Sequence, residues 1–172
     1  MGEKMRPSKL QVAMMVAEDW AKLSHDKDTQ VGAVLLKNAT GAQIAAGFNG
    51  YIRGAPDAVL PNTRPDKYEY MMHAEENIMT NCARHGISMD DCTLVCTMSP
   101  CKHCMRLLWQ TGITRVIAKK LYKDFDDIMK MKDLGVSQRI TPEGFWELTY
   151  KEKDCAPRDT SNKADICDCS NK

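Results

Sequence analysis

The segment CTLVCTMSPCKHCMRLLWQTGITRVIA, at residues 92–118, determines the architecture that the rest of the chain extends. It begins with an apolar run, Cys92–Met98, that predicts a buried strand. Residues 101–111 follow as a predicted helix that Gly112 ends, and residues 115–118 form a further interior strand. A strand, a connecting helix and a second strand predict parallel pairing, because the crossover returns the chain to the same end of the sheet.

The elements on either side of this segment predict an α/β sandwich. Ser8 and Gln11 form a capping box, and apolar residues then recur at helical spacing to about Leu23. The other predicted elements are a strand hairpin at residues 31–37 and 43–48, a helix at residues 73–85 and a helix at residues 125–135. Helices that alternate with interior strands pack on the faces of a sheet.

The composition fits one globular domain and excludes several classes of protein. Of the 172 residues, 43% are hydrophobic and 27% are charged, which is enough to bury a core. The net charge of +1 gives no excess that nucleic acid or a membrane surface would require. The N-terminal residues lack the apolar segment of a secretory signal, so we expect a cytoplasmic location. We expect one domain at residues 1–150 and a polar, flexible tail at residues 151–172.

The eight cysteines are predicted to be reduced, because a chain of this length without a secretory signal does not need disulfides. Some of them are better explained as metal ligands. Cys155, Cys167 and Cys169 lie in the predicted tail and have no predicted role.

Three residues at two predicted helix starts form a candidate metal site. Cys101 and Cys104 are one helical turn apart, so both thiolates can face one point. His73 begins the helix at residues 73–85 in the same way. Three protein ligands leave one tetrahedral position open, as in catalytic zinc sites, where the pKa of a bound water falls to about 7. Glu75 is close enough in sequence to take and return a proton.

Two other interpretations of these residues are possible. A structural site with four cysteines would recruit Cys92 or Cys96 to the pair, and His73 alone would be an ordinary surface histidine. The combination of H-A-E with P-C-x-x-C on a second helix start is much more specific. It is the signature of zinc-dependent nucleobase deaminases.

Residues 10–135 resemble the deoxycytidylate (dCMP) deaminases of the cytidine-deaminase superfamily. The resemblance is carried by KDTQVGAVLL, GFNG with RGAPD, HAEEN, SPCKHC, QTGITRVI and LYKDFDD. It implies a three-layer α-β-α sandwich with a central five-stranded mixed sheet, formed by a deaminase domain at residues 1–150. It also implies hydrolysis of dCMP to dUMP and ammonia, which supplies dUMP for thymidylate synthesis, with one Zn²⁺ per subunit.

The same resemblance assigns roles at the site. His73, Cys101 and Cys104 match the zinc ligands, and Glu75 matches the residue that shuttles protons. The implied substrate contacts are the Ala74 N–H and the Ser99 carbonyl for the base, Asn49 for the sugar, and Tyr122 for stacking on the ring. A tyrosine that only lines the core is the alternative for Tyr122.

The resemblance further implies regulation in a homo-oligomer, expected to be a hexamer, with dCTP as activator and dTTP as inhibitor. The implied effector residues are Lys27, Gly47, Phe48, Asn49 and Gly50, with Mg²⁺ on the triphosphate. The alternative is a hairpin exit whose glycines only serve the turn. Arg84 matches a subunit contact, and Arg53, Arg64 and Arg106 are candidate contacts for the phosphate of the substrate.

Three other functions use part of this pattern. A tRNA-editing adenosine deaminase would need a clustered basic face, which the interspersed charges do not indicate. Deamination of free cytidine or of a riboflavin precursor uses the same zinc chemistry. A non-enzymatic domain stabilised by zinc would have no need of Glu75.

Overall fold

The computed structural model describes residues 6–151, and the predicted tail, with Cys155, Cys167 and Cys169, lies outside the described residues apart from Lys151. The helices are α1 (Lys9–Ala21), α2 (Ala74–His85), α3 (Lys102–Gln110) and α4 (Phe125–Met129). The strands are β1 (Gly32–Lys37), β2 (Gln43–Phe48), β3 (Gly50–Tyr51), β4 (Met71–Met72), β5 (Cys92–Met98), β6 (Ile113–Lys120), β7 (Val136–Ile140) and β8 (Trp146–Tyr150). Two 3-10 helices, Asp66–Glu69 and Lys130–Leu134, complete the elements.

The central sheet has six strands in the order β2-β1-β5-β6-β8-β7. β5 and β6 pair in parallel, as the sequence predicts, with Val95 opposite Ile117. The other pairs are antiparallel, so the predicted mixed sheet is confirmed. The predicted number of five strands is wrong, because the hairpin of β7 and β8 adds two strands at the edge to the four that the sequence locates. In β7 only Val136 is buried, so no apolar run marks this strand in the sequence.

Helices cover both faces of the sheet, which confirms the three-layer architecture. On one face, α1 packs against three central strands through Ala13, Met14, Ala17, Val34, Val95 and Ile117. On the other face, α2, α3 and α4 pack over Leu35, Leu94 and Val116, with Ile78, Leu108 and Ile128 at the contact. Successive residues of a strand point to opposite faces, so each interior strand supplies both cores.

The position of α1 is fixed at its start and at its contact with β1. Ser8 Oγ accepts from the Gln11 N–H at 3.1 Å, and Gln11 Oε1 accepts from the Ser8 N–H at 2.8 Å, so the predicted capping box is confirmed. Gly32 lies directly under the helix, where a Cβ would stand 2.0 Å from the Ala17 carbonyl oxygen. Only glycine therefore permits this approach of helix and strand.

The helices are short, and one is shorter than predicted. The helix predicted at residues 125–135 ends at Met129, and the chain then tightens into the 3-10 helix before Gly135, which has a φ of 81°. Such tightening is common at the end of an α-helix. Within residues 6–151, none of the helices has the length and apolar character that crossing a bilayer requires.

Candidate active site

His73 is held at the start of α2, where the long connection after β2 ends. β3 and β4 pair antiparallel, with Gly50 opposite Met72, and so bring the chain back beside the end of β2 before α2 begins. His73 is the N-cap residue of α2, and its backbone N–H donates to Glu76 Oε2 at 2.8 Å. Glu76 thus caps the helix start, where its negative charge suits the positive end of the helix dipole.

Cys101 and Cys104 meet His73 from the start of α3. Cys101 is the N-cap residue of that helix, and its Sγ accepts from the Cys104 N–H at 3.5 Å. His73 Nδ1 lies 3.6 Å from Cys101 Sγ and 3.4 Å from Cys104 Sγ. The structure therefore brings together the three residues predicted as ligands.

The spacing of these atoms fits a tetrahedral zinc ion. Zinc bonds of roughly 2.0–2.1 Å to nitrogen and 2.3 Å to sulfur at a tetrahedral angle separate the two ligand atoms by about 3.6 Å. One imidazole nitrogen with two thiolates is also a donor set that zinc binds. Among residues 6–151, no other group of His, Cys, Asp or Glu side chains converges in this way.

Cys92 and Cys96 do not join this cluster. Cys92 Sγ lies 3.4 Å from the Asp90 carbonyl oxygen, and Cys96 Sγ donates to the Ile117 carbonyl at 3.4 Å. Both residues are fully buried, and burial raises the pKa of each thiol. Neither thiol belongs to the group of side chains that converges with His73, so the geometry does not support a four-cysteine site.

The electrostatics of the cluster favour a cation. Hydrogen bonds from the Cys104 thiol and from His73 lower the pKa of Cys101 to about 3. The pKa of His73 is raised to about 9, mainly by its hydrogen bond to Cys101. The pKa of Cys104 is raised by its hydrogen bond to Cys101 and by burial. One thiolate is therefore present at neutral pH, and a bound metal would replace the protons on the other two ligands.

Glu75 lies beside the cluster in a desolvated position. Its side chain belongs to a residue that is 3% exposed, and burial raises its pKa to about 7. A carboxyl group with a pKa near neutrality can both accept and release a proton at physiological pH. Glu75, His73 and Cys101 line one cavity together.

This cavity also gathers the predicted substrate contacts. Asn49, Ala74, Ser99 and Tyr122 all line it. Ser99 Oγ accepts from the Tyr122 N–H at 2.8 Å, which ties the segment after β6 to the segment before α3. Tyr122 is half-buried and faces the cavity, so its alternative role as a core residue is not supported.

Asn49 is connected to a buried ion pair that sequence reasoning missed. Its Nδ2 donates to Asp26 Oδ2 at 3.1 Å, and Asp26 Oδ1 accepts from Lys67 Nζ at 2.6 Å. Lys67 and Asp26 both line the cavity, and both are buried. The two residues are 41 positions apart, so no local pattern links them, and each resembles an ordinary surface charge in the sequence.

The three arginines predicted as phosphate contacts lie in different places. Arg64 lines the cavity, where its Nη2 donates to Thr29 Oγ1 at 2.9 Å, and its side chain is 52% exposed. Arg53 lines a second cleft. Arg106 is exposed on α3 and lines neither the cavity nor this cleft. Only Arg64 of these three therefore lines the same cavity as Glu75.

The second cleft lies beside Phe48, whose ring stacks on Trp20 with the centroids 6.1 Å apart. Gly47, Arg53 and Arg84 line the same cleft. Two basic side chains beside an aromatic ring form a surface suited to a nucleotide.

The remaining predicted effector residues do not reach this cleft. Asn49 lines the first cavity, whereas Lys27 and Gly50 line neither of the two. Gly47 lines the cleft, and helix packing also favours glycine there, because a Cβ would stand 3.0 Å from Ile78 Cγ1 and 3.3 Å from the Ala74 carbonyl oxygen. A glycine at this position is therefore explained without a ligand.

Comparisons with known proteins agree with this geometry. The family model for the cytidine and deoxycytidylate deaminase zinc-binding region matches residues 7–120. A protein of Aliivibrio fischeri named as an uncharacterized deaminase in the luxG 3' region is 36% identical over 140 residues, which cover 81% of this chain and 88% of that protein. The deoxycytidylate deaminase of Homo sapiens is 34% identical over 121 residues, which cover 66% of this chain and 66%, slightly less than two thirds, of that protein.

A solved structure shares both the fold and part of the sequence. It is the dCMP deaminase from the cyanophage S-TIM5 in complex with dCMP and dUMP, with a TM-score of 0.64 and 31% identity, covering 76% of this chain and 95% of that chain. The region that the family model matches includes His73, Glu75, Cys101 and Cys104, and it ends two residues before Tyr122.

Proposed function

The chain belongs to the family of the cytidine and deoxycytidylate deaminase zinc-binding region, and from that membership we propose that it hydrolyses dCMP to dUMP and ammonia. The observation that carries the proposal is the convergence of the His73, Cys101 and Cys104 cluster with the buried Glu75 on one cavity. The cyanophage relative, whose structure contains dCMP and dUMP, supports the nucleotide as substrate. The proposed role of the product is to supply dUMP for thymidylate synthesis.

His73, Cys101 and Cys104 are the proposed ligands of one Zn²⁺ per chain. When bound there, zinc supplies Lewis-acid chemistry that lowers the pKa of a coordinated water from 15.7 to about 7. The chain's contribution is the donor set, because the starts of α2 and α3 place the three ligand side chains together.

Glu75 is the proposed proton carrier of the reaction. Hydrolysis at C4 of cytosine needs a proton at N3 and a further proton on the departing amine. A buried carboxyl group whose pKa burial raises to about 7 holds such a proton at neutral pH and releases it readily. Proton transfer by a positioned side chain typically contributes roughly 10²–10⁴ in rate.

The base and the sugar are proposed to be held by four residues that line the cavity. Ala74 is the first residue of α2, so its backbone N–H has no acceptor within the helix and can donate to the base. The Ser99 carbonyl is the proposed acceptor for the exocyclic amine, and the Tyr122 ring the proposed stacking partner. Asn49 is the proposed contact for the sugar.

Arg64 is the proposed contact for the 5′-phosphate. It is the one predicted arginine that lines the cavity of Glu75, and its half-exposed guanidinium can turn from Thr29 toward an anion. A charge-assisted hydrogen bond to phosphate would favour dCMP over the uncharged nucleoside.

The second cleft is the proposed effector site of a homo-oligomer, expected to be a hexamer, with dCTP as activator and dTTP as inhibitor. Support comes from Phe48, Arg53 and Arg84, which line it together. Each effector must stabilise a different conformation by about 1–3 kcal/mol to act in this way. The roles predicted for Lys27, Gly50 and Mg²⁺ stay predictions.

One comparison separates this function from the alternatives. Ammonia release is measured with dCMP, deoxycytidine, cytidine and an RNA hairpin, each with the wild-type protein and with Glu75→Gln. The proposal expects the wild type to release ammonia faster from dCMP than from the other three compounds, and Glu75→Gln to release it much more slowly. Preferred release from the hairpin or from cytidine would overturn the proposed substrate.

A further inference from the structure

We infer that Lys67 is a positioning residue for sugar recognition, which acts through Asp26 to present Asn49 to the substrate as a hydrogen-bond acceptor only. The inference deepens the proposed function and rests on it. It concerns how the cavity distinguishes one sugar from another, which neither the zinc cluster nor Glu75 determines.

The first step is the pairing of Lys67 with two carboxylates. Lys67 Nζ lies 2.6 Å from Asp26 Oδ1 and 2.8 Å from Asp28 Oδ2, and the Lys67 side chain is 3% exposed. An ammonium group is buried to this extent only when its charge is compensated. Burial lowers the pKa of Lys67, but the bonds to both carboxylates outweigh it, and the pKa is raised.

The second step is the orientation of the Asp26 carboxylate. Its Oδ1 also accepts from the backbone N–H groups of Asp28 at 2.8 Å and of Thr29 at 3.0 Å. With Lys67, three donors therefore hold this oxygen. The other oxygen, Oδ2, is left to face Asn49, from whose Nδ2 it accepts at 3.1 Å.

The third step is the orientation of the Asn49 amide. Its Nδ2 donates to the Thr29 carbonyl at 2.9 Å as well as to Asp26, so both of its protons are used. Its Oδ1 accepts from the Val31 N–H at 2.7 Å. The reversed amide would set two donors against each other at Val31 and two acceptors against each other at Asp26, so a single orientation is possible.

The remaining hydrogen-bonding capacity of Asn49 follows from this count. An amide oxygen has two lone pairs, and one of them is free on Oδ1. A residue with one free acceptor and no free donor binds a hydroxyl proton of the ligand. In a deoxyribose the 3′-hydroxyl is the only such proton, since the 5′ oxygen is esterified.

The assignment of Asn49 Oδ1 as the acceptor is tested with the wild-type protein and three nucleotides that differ at the 3′ position of the sugar. The substrates are dCMP, its 3′-deoxy analogue and its 3′-deoxy-3′-fluoro analogue, whose fluorine accepts but cannot donate. The KM of both analogues is expected to exceed that of dCMP by about tenfold, the effect of one lost hydrogen bond. A fluoro analogue that keeps the KM of dCMP would overturn the assignment.

Lys67→Met and Lys67→Arg test the positioning role. Lys67→Met removes the charge from an unbranched side chain, and it is expected to raise the KM of dCMP about tenfold and to leave the KM of the 3′-deoxy analogue unchanged. Lys67→Arg restores a cation and is expected to recover part of the KM difference between dCMP and its 3′-deoxy analogue. Lys22→Met, which removes one partner of an exposed ion pair, is the matched control.

A double variant separates positioning from direct contact. The quantity compared is the ratio of the KM of the 3′-deoxy analogue to that of dCMP. If Lys67 acts through Asn49, then the double variant Asn49→Ala with Lys67→Met lowers this ratio no further than Asn49→Ala alone does. Equal losses with dCMP and its 3′-deoxy analogue would instead show that Lys67 touches another part of the substrate, and the inference would fail. Should Lys67→Met not fold, Asp26→Asn puts an amide against Asn49 and is expected to give the same loss.

A wild-type protein that releases no ammonia from dCMP overturns the proposed function and this inference together. If the wild type is active and Lys67→Met distinguishes dCMP from its 3′-deoxy analogue as well as the wild type does, only the inference about Lys67 is overturned.

Discussion

His73 Nδ1 lies 3.4 Å from Cys104 Sγ, although the two residues are 31 positions apart in the chain. The contact exists because α2 and α3 both begin at the same end of the sheet. Each helix start carries a ligand at its N-cap position, which leaves the side chain free to point beyond the helix. A metal ion bound at this point would link the starts of α2 and α3.

Removing a proposed ligand should remove the metal. Cys104→Ala is expected to lose bound zinc and to lower the free energy of unfolding, because the ion no longer links the starts of α2 and α3. Elemental analysis of purified protein measures the zinc, and thermal unfolding measures the stability. Cys92→Ala is the matched control, since its thiol lies outside the cluster, and it should keep one zinc per chain. Full zinc content in Cys104→Ala would contradict the ligand assignment.

Arg64 should determine the preference for a nucleotide over a nucleoside. Arg64→Met is expected to lower kcat/KM for dCMP by about 10- to 100-fold, the effect of a lost hydrogen bond to a charged group, and to change that for deoxycytidine little. Steady-state kinetics with both substrates measure the ratio of kcat/KM for dCMP to kcat/KM for deoxycytidine. Arg106→Met, on the exposed face of α3, should behave as the wild type. A selective loss in Arg106→Met instead would assign the phosphate to the other arginine.

Arg84 should support effector binding at the second cleft. In the wild type, dCMP kinetics are expected to be sigmoidal, to become hyperbolic with dCTP and to revert with dTTP. Arg84→Met is expected to weaken the binding of both triphosphates by calorimetry and to leave turnover at saturating dCMP unchanged, because Arg84 lines a cleft separate from Glu75. Absence of binding of either triphosphate to the wild type at millimolar concentration contradicts the regulatory proposal.

Glu147 should contribute stability that depends on pH. It is 3% exposed and accepts hydrogen bonds from Arg139 and Arg115, each at 2.7 Å. Burial raises the pKa of Glu147, but the two arginines outweigh it and hold the pKa below the ordinary value of 4.5. Since the folded state lowers this pKa, the stabilisation is present above pH 4.5 and is lost as the pH falls through the folded value.

The variant Glu147→Gln measures this contribution. It is expected to cost about 1–3 kcal/mol of unfolding free energy at pH 7, and the difference from wild type should narrow as the pH falls below 4.5. Urea unfolding at several pH values gives the comparison. Glu18→Gln, in an exposed pair with Lys119, is the control and should change little. A difference that stays constant down to pH 3 would show that the ion pairs do not cause it.

Local features of the sequence predicted most of the fold and the centre of the site. The capping box at Ser8, the helix starts at His73 and Cys101 and the apolar run of β5 each depend on neighbours within a few residues, so they can be read without the fold. Of the residues that line the cavity with Glu75, Asn49, Ala74, Ser99 and Tyr122 followed from the resemblance. β7 was missed because its side chains are mostly exposed at the sheet edge.

Contacts between distant segments could not be predicted in this way. Lys67 and Asp26 form an ion pair across 41 positions, and neither charge differs in the sequence from a solvated one. Gly47, predicted as an effector residue, also lies against α2, a contact that the sequence does not indicate. In both cases the deciding neighbour comes from an element whose position only the folded chain reveals.

The most direct test of the account measures zinc content and ammonia release from dCMP in the same preparations of wild type and Glu75→Gln. The account predicts one zinc per chain in both proteins and a kcat that is lower in Glu75→Gln by roughly 10²–10⁴-fold, because the variant keeps the ligands and loses the proton carrier. Wild-type turnover by Glu75→Gln at full zinc content, or no release of ammonia by the zinc-loaded wild type, would contradict it.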